Sequence, residues 1–163
     1  LVDPDADAEM NWVIGLIEEI RSVRAQMHVP AGAKIPMLVS ALDGPAKAAW
    51  DRNQELIKKL ARIETLTQVD SFPKGCVTLA VAGANFGLPL AEIIDIEEEK
   101  ERLEKTMGKL SKELGGLRGR LKNPKFVESA PAEVVEETRQ NLALREDEEA
   151  QIRAAMVRLN ELG

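Results

Sequence analysis

In 163 residues the sequence has one cysteine, one histidine and no tyrosine, and its aromatic content is only 3%. A single cysteine, Cys76, excludes an intramolecular disulfide framework and fits a reducing compartment. His28, in "MHVP", has no His or Cys partners nearby in sequence for a metal site or an activated nucleophile, so no metal is expected. It reads as a capping or surface residue at a helix end. Cys76 opens the apolar run "CVTLAVAG" and reads as a small core residue. "GANFGLPL" has two glycines without the Lys-Ser/Thr of a phosphate loop, and a hairpin turn is the better reading. No apolar run approaches the ~20 residues of a membrane span, and no signal peptide opens the chain. A cytoplasmic protein with no membrane partner is expected. "LVDPDADAEM" begins without Met and reads as mid-protein sequence, as in a piece of something longer. Nothing here assembles a catalytic centre, so this stretch is expected to be no enzyme by itself and to hold no cofactor of its own.

The chain does carry 31% charged and 44% hydrophobic residues, a balance that suits long exposed helices. From Ala8 to Met27 the residues Trp12, Val13, Leu16, Ile17, Ile20, Val23 and Met27 recur at helical spacing and predict an amphipathic helix. Arg21 and Arg24 lie beside that stripe. Pro30, Gly32 and Pro36 interrupt the chain, and "PMLVSAL" reads as a strand. A second helix is predicted over 45–62, with Ala49, Leu56, Leu60 and Ile63 on its apolar side. Short strands follow at "TLTQVD", "GCVTLAVAG" and "NFGLPL". The order α-β-α-β-β-β over residues 1–90 predicts a small α+β module. Its leading helix is expected to pack partly on upstream domains of a longer parent.

After Pro89 the texture changes, and residues 91–163 read as an arm of two helices, about 91–122 and 131–162, joined by a bend at 123–130. From Leu103 the apolar positions Met107, Leu110, Leu114, Leu117 and Leu121 follow at alternating steps of four and three. Val135, Thr138, Leu142, Arg145, Glu149, Ile152, Met156 and Leu159 repeat the same period. Folded antiparallel, the two series pair so that partner numbers add to 255 or 256 throughout, with Leu114 against Leu142 and Leu103 against Ile152. The same register sets Glu104 across from Arg153. The fold class is therefore α+β, a small module followed by a long antiparallel two-helix coiled-coil hairpin. Lys100, Arg145 and Glu149 in the seam disfavour a long self-assembling rod, and a monomer is expected.

Charge is divided along the arm. Residues 105–125 hold seven basic residues (Lys105, Lys109, Lys112, Arg118, Arg120, Lys122, Lys125) against Glu113, a net of +6. Residues 128–150 hold eight acidic residues against Arg139 and Arg145, a net of −6. The arms could simply neutralise one another. However, Arg118 and Arg139 fall at facing flank positions, and Lys122 and Lys125 add to them, a basic tip with no evident internal counter-charge. Unpaired cations at the end of a long arm suit a phosphate backbone. Phe126 beside them either stacks on an unpaired base or packs inside the bend. Gly108, Gly115, Gly116 and Gly119 share the outer face of the first arm, where each costs ~1 kcal/mol relative to Ala. Flexing, close approach of a partner's backbone and neutral drift all remain open for them.

The bend "LKNPKFVESAPAEVV" and the helices around it resemble the C-terminal arm of bacterial valyl-tRNA synthetase, and "IRSVRAQMHVPAGAKIPMLV" resembles the end of that enzyme's anticodon-binding region. The likeness covers nearly the whole chain. It implies a parent class I ligase that uses ATP and Mg to join valine to its tRNA, with the catalytic and editing domains upstream. It implies as partner a valine-accepting tRNA, with the arm against the outer corner where the D and T loops meet. Matched to this sequence, the implied contacts are Arg118, Arg120, Lys122, Asn123, Lys125 and Phe126. Arg139, Lys105, Lys109 and Lys112 accompany them on the arm. Arg21 and Arg24 are weaker candidates on the anticodon side. The glycine-rich run departs from the Ala/Glu-rich arms of the family. The rival readings are a structural brace and a protein-interaction adaptor, the latter requiring an apolar stripe outside the seam.

Overall fold

The computed structural model describes residues 3–162 and contains two compact units. One runs to Ile96 and includes the residues from Arg158 onward; the other is Glu97–Val157. Among the described residues no helix is long and apolar enough to cross a membrane.

The first unit is built from α1 (Pro4–Gln26), β1 (Ile35–Leu42), α2 (Gly44–Ala61), β2 (Ile63–Gln68), β3 (Cys76–Val81) and β4 (Ala84–Pro89), the predicted order. Helix α1 starts four residues before the predicted Ala8, because Asp3 accepts from the backbone of Asp5 and Ala6 and Pro4 occupies the first turn. At its other end His28 takes the left-handed conformation (φ 54°). The His28 N–H reaches Ala25 O and the Val29 N–H reaches Arg24 O, a Schellman stop. His28 is therefore a helix-terminating residue, as its position suggested.

The four strands lie in the order β2-β1-β4-β3, with β1–β2 parallel and the other two pairs antiparallel. Helix α2 is the crossover that parallel pairing of consecutive strands requires. Period-two alternation sends Ile35, Met37 and Val39 of β1 into the core, where Phe86 and Leu88 of β4 and Val77 of β3 join them. Trp12 is half-buried, its indole N–H donating to Ala82 O at 2.8 Å and its ring tilted against Phe86 at 6.2 Å. The whole predicted α1 stripe points inward.

On α2 the prediction fails in part. Leu56 and Leu60 are 42% and 46% exposed, whereas Ala46, Ala49, Trp50, Ile57 and Ala61 are buried. Three alanines on that stripe let the helix backbone approach its neighbours closely, and the larger leucines fall to one side. Cys76 is a buried core residue, and burial raises its thiol pKa.

Asp43 ties three elements together. Its carboxylate caps α2 through the Ala46 N–H at 2.8 Å, and its own N–H donates to Gly83 O at 2.9 Å. Gly83, at φ 79° in the β3–β4 turn, would bring any Cβ within 2.1 Å of that carboxylate. Gly83 makes the expected hairpin turn, while Gly87 lies within β4. The last turn of α5 (Ala132–Leu162) also belongs to this unit: Leu159 and Leu162 are buried, and Arg158 donates to the Gln26 side chain.

The second unit contains α3 (Ile96–Lys122), α4 (Pro124–Ser129) and most of α5. Helix α4 occupies the predicted bend; a six-residue helix is too short to announce itself by periodicity. Every predicted seam position from Lys100 to Leu121 and from Val135 to Met156 is buried or half-buried. Leu103, Leu110, Leu114, Val135 and Thr138 are the most enclosed of these. Arg145 pairs with Glu113 at 3.3 Å, on the turn between Leu110 and Leu114 where the heptad register places it. Arg153 departs from its predicted neighbour Glu104 and pairs with Glu149 of its own helix at 3.6 Å.

Two stability outcomes follow from these contacts. Leu114→Ala should destabilise the hairpin by about 2–3 kcal/mol through lost burial and a residual cavity, read as faster amide exchange across α3 and α5 with the sheet amides unchanged. Gly83→Ala should cost the first unit about 2–3 kcal/mol, from a left-handed backbone carrying a Cβ and the displaced Asp43 carboxylate, measured by urea unfolding.

Candidate nucleic-acid interface

Basic residues occupy the end of α3 because the first half of the arm is rich in Lys and Arg, and the helix ends where Pro124 follows Asn123. Asn123 takes an extended conformation, and its side-chain oxygen accepts from the Lys125 N–H at 3.0 Å, capping α4. The Val127 N–H bonds Asn123 O and the Ala130 N–H bonds Phe126 O, so the tip has its own hydrogen-bonded frame. Lys122, Asn123 and Lys125 are exposed on it, while Phe126 and Val127 are half-buried. Asn123 thus has a structural duty at the tip in addition to any contact it makes.

The cations of the arm divide into paired and unpaired sets. Arg118 bonds Glu146 of α5 at 3.3 Å, which corrects the expectation that it lacks an internal counter-charge. An arginine is long enough to reach along α5 to a carboxylate and need not stop at the residue facing it. Both groups are about half exposed, so the pair contributes little to stability. Arg145 engages Glu113 and Glu148 together, and the hydrogen bond it donates to Glu148 is the main cause of its raised pKa. Lys105, Lys109, Lys112, Arg120, Lys122, Lys125 and Arg139 are exposed and take part in none of the ion pairs among the described residues.

Two anticodon-side candidates separate in the same way. Arg21 is exposed. Arg24 is only 8% exposed and donates to Pro30 O at 3.0 Å and Arg62 O at 3.4 Å, fastening the turn after α1. Burial, with the nearby Arg62 charge second, lowers its pKa. It is a structural residue of the first unit.

One feature of the arm escaped the sequence reading. Between α3 and α5 an open groove of about 510 Å³ is lined by Lys112, Glu113, Gly116, Leu117, Arg120, Asn141 and Arg145. Asn141 gave no signal because a neutral amide does not enter a charge count. Its place three residues from Thr138 and four from Arg145 does put it beside the seam.

Residues 95–160 match the family described as the valyl tRNA synthetase tRNA binding arm. Across its full length the chain is 67% identical to a valine–tRNA ligase of Ruegeria pomeroyi. Over 99% of its length it is 56% identical to a valine–tRNA ligase of Cereibacter sphaeroides and 37% identical to one of Mesorhizobium japonicum. It spans 16% or 17% of the length of these relatives. The capped basic tip and the continuous two-helix seam coincide with the matched segment. Residues 95–160 thus match the valyl tRNA synthetase tRNA binding arm, and the chain as a whole is similar to one stretch of valine–tRNA ligases.

Proposed function

We propose that this chain is the tRNA-binding C-terminal region of a valine–tRNA ligase, and that its arm presents basic residues to the outer corner of a valine-accepting tRNA. The observation that carries this reading is the surplus of unpaired positive charge on α3 in a protein whose net charge is −6. The seam holds the helices together without those cations, which leaves them free to neutralise phosphates and release counterions. The parent would be a class I, ATP- and Mg-dependent ligase of the cytoplasm. Valine activation would occur upstream, and this region would contribute affinity and orientation for the RNA. Arg21 faces solvent and is the remaining candidate on the anticodon side.

The brace reading draws on a specific observation as well. Arg118 and Arg145 are both engaged in ion pairs between the helices, so part of the arm's charge is internally balanced. The adaptor reading has less support: Val134, Leu144 and Val157 are exposed on α5, but they are too widely spaced to form a stripe.

Replacing Arg118, Arg120, Lys122 and Lys125 with Ala in the full-length ligase separates these readings. The expected result is weaker tRNA binding, a salt slope flatter by about 2–3, and slower aminoacylation at limiting tRNA. Valine-dependent pyrophosphate exchange should be unchanged. Unaltered affinity and slope would make the arm a brace. As a control, Glu136→Gln with Glu137→Gln should leave binding equal or tighter. Glu146 and Glu148 are left intact because their loss would release Arg118 and Arg145.

A further inference from the structure

The cations of α3 do not form one cluster at its end. Lys105, Lys109, Lys112, Gly116 and Arg120 follow one another at steps of four, three, four and four residues, which places them in a single row along one side of the helix. Neighbours in that row stand about 4.5–6 Å apart along the axis. The row borders the groove, since Lys112, Gly116 and Arg120 line it together with Asn141 and Arg145. Glu113 and Glu148 are both engaged by Arg145, and Glu101 and Glu137, four residues from Lys105 and Asn141, form no ion pair with the row among the described residues, so its four cations stay unpaired. Gly116 is the one position in the row without a side chain, and a Cβ there would meet nothing within 4 Å. Nothing inside the arm therefore requires glycine at the point where the groove opens.

Arg118 and Lys122, four residues apart, lie on the other side of α3. There Glu146 neutralises Arg118, and Glu136 and Glu146 lie three and seven residues from Arg139 on α5. This flank is mixed in charge, whereas the groove flank presents four unpaired cations.

We infer that the arm meets RNA along its side: the row Lys105, Lys109, Lys112 and Arg120 tracks one run of sugar-phosphate backbone, which enters the groove at Gly116 and meets the Asn141 amide. The tip cations Arg118, Lys122 and Lys125 are secondary. This inference rests on the proposed tRNA-binding role and adds the face, the register and Asn141 to it. Evenly spaced cations address successive phosphates, and an amide can donate to a phosphate or accept from a ribose hydroxyl. A missing side chain lets the backbone come close to the helix.

The test uses the full-length ligase and a valine tRNA transcript, with affinity measured across a potassium chloride series. Lys105→Gln, Lys109→Gln and Lys112→Gln together should weaken binding roughly tenfold or more and flatten the salt slope by about 2–3. Arg118→Gln, Lys122→Gln and Lys125→Gln together should have a clearly smaller effect. Gly116→Gln should raise the melting temperature, since glutamine is the better helix former, yet weaken binding. Loss of affinity in a more stable protein cannot come from unfolding. Asn141→Ala should weaken binding without changing the salt slope. If the tip triple loses as much as the row triple, or Gly116→Gln binds normally, the side-on seat is wrong and the broader tRNA-binding reading stands. If neither triple changes affinity, the arm does not hold RNA and the reading beneath this inference falls with it.

Discussion

Within the arm a single apolar seam does the work that a core of several layers does in a globular domain. Leu103, Leu110 and Leu114 of α3 are buried against α5, whose Val135 and Thr138 are equally enclosed. A helix of about thirty residues that buries only one stripe gains little from propensity alone. Each helix therefore depends on the other for a surface to cover. The arrangement also keeps structure and recognition apart: the seam uses one face of each helix and leaves the flanks to carry charge. Arg145 shows the limit of that separation. It sits at a seam position, half-buried, and is tolerated because Glu113 and Glu148 satisfy it from both helices.

How far the fold was legible from sequence follows from how many surfaces each element had to satisfy. The arm was readable because a two-helix hairpin permits one seam, and the alternating steps of four and three mark it at both ends. The sheet was readable because its strands are short, bounded by Gly or Pro, and alternate. On helix α2 the expected apolar side holds for Ala49 and fails for Leu56 and Leu60. Packing rewarded the closest approach, so Ala46, Ala49 and Ala61 went inward while Leu56 and Leu60 did not. The start of α1 was missed although Asp3-Pro4 is a standard cap, since the apolar stripe begins only a turn or two later.

The charge of the arm was legible in composition and less so in geometry. Counting charge along 105–125 located the exposed cations of α3, and the proline-bounded bend located the end of that helix. A count cannot show which cations are already spent. Arg118 finds Glu146, and Arg24 is drawn into the first unit by two carbonyls, and both facts depend on side-chain reach across tertiary contacts. Helical phase was available from the start and distinguishes the groove flank from the other. Only the structure shows that the row of lysines borders an opening.

Ile96 and Arg158 belong to the same compact unit, so residues 97–157 are topologically an insertion, leaving and re-entering one folded body. Insertions of this kind can change length without disturbing the scaffold they interrupt. Here the allowed steps are quantised. Removing or adding seven residues in each helix preserves the seam, the partner of every seam residue and the flank on which the cations fall, and alters the arm by about 10 Å. An unequal change rotates one stripe away from the other and is excluded by the same seam. The hairpin is thus an adjustable ruler whose graduations are heptads, set by packing and read out in distance.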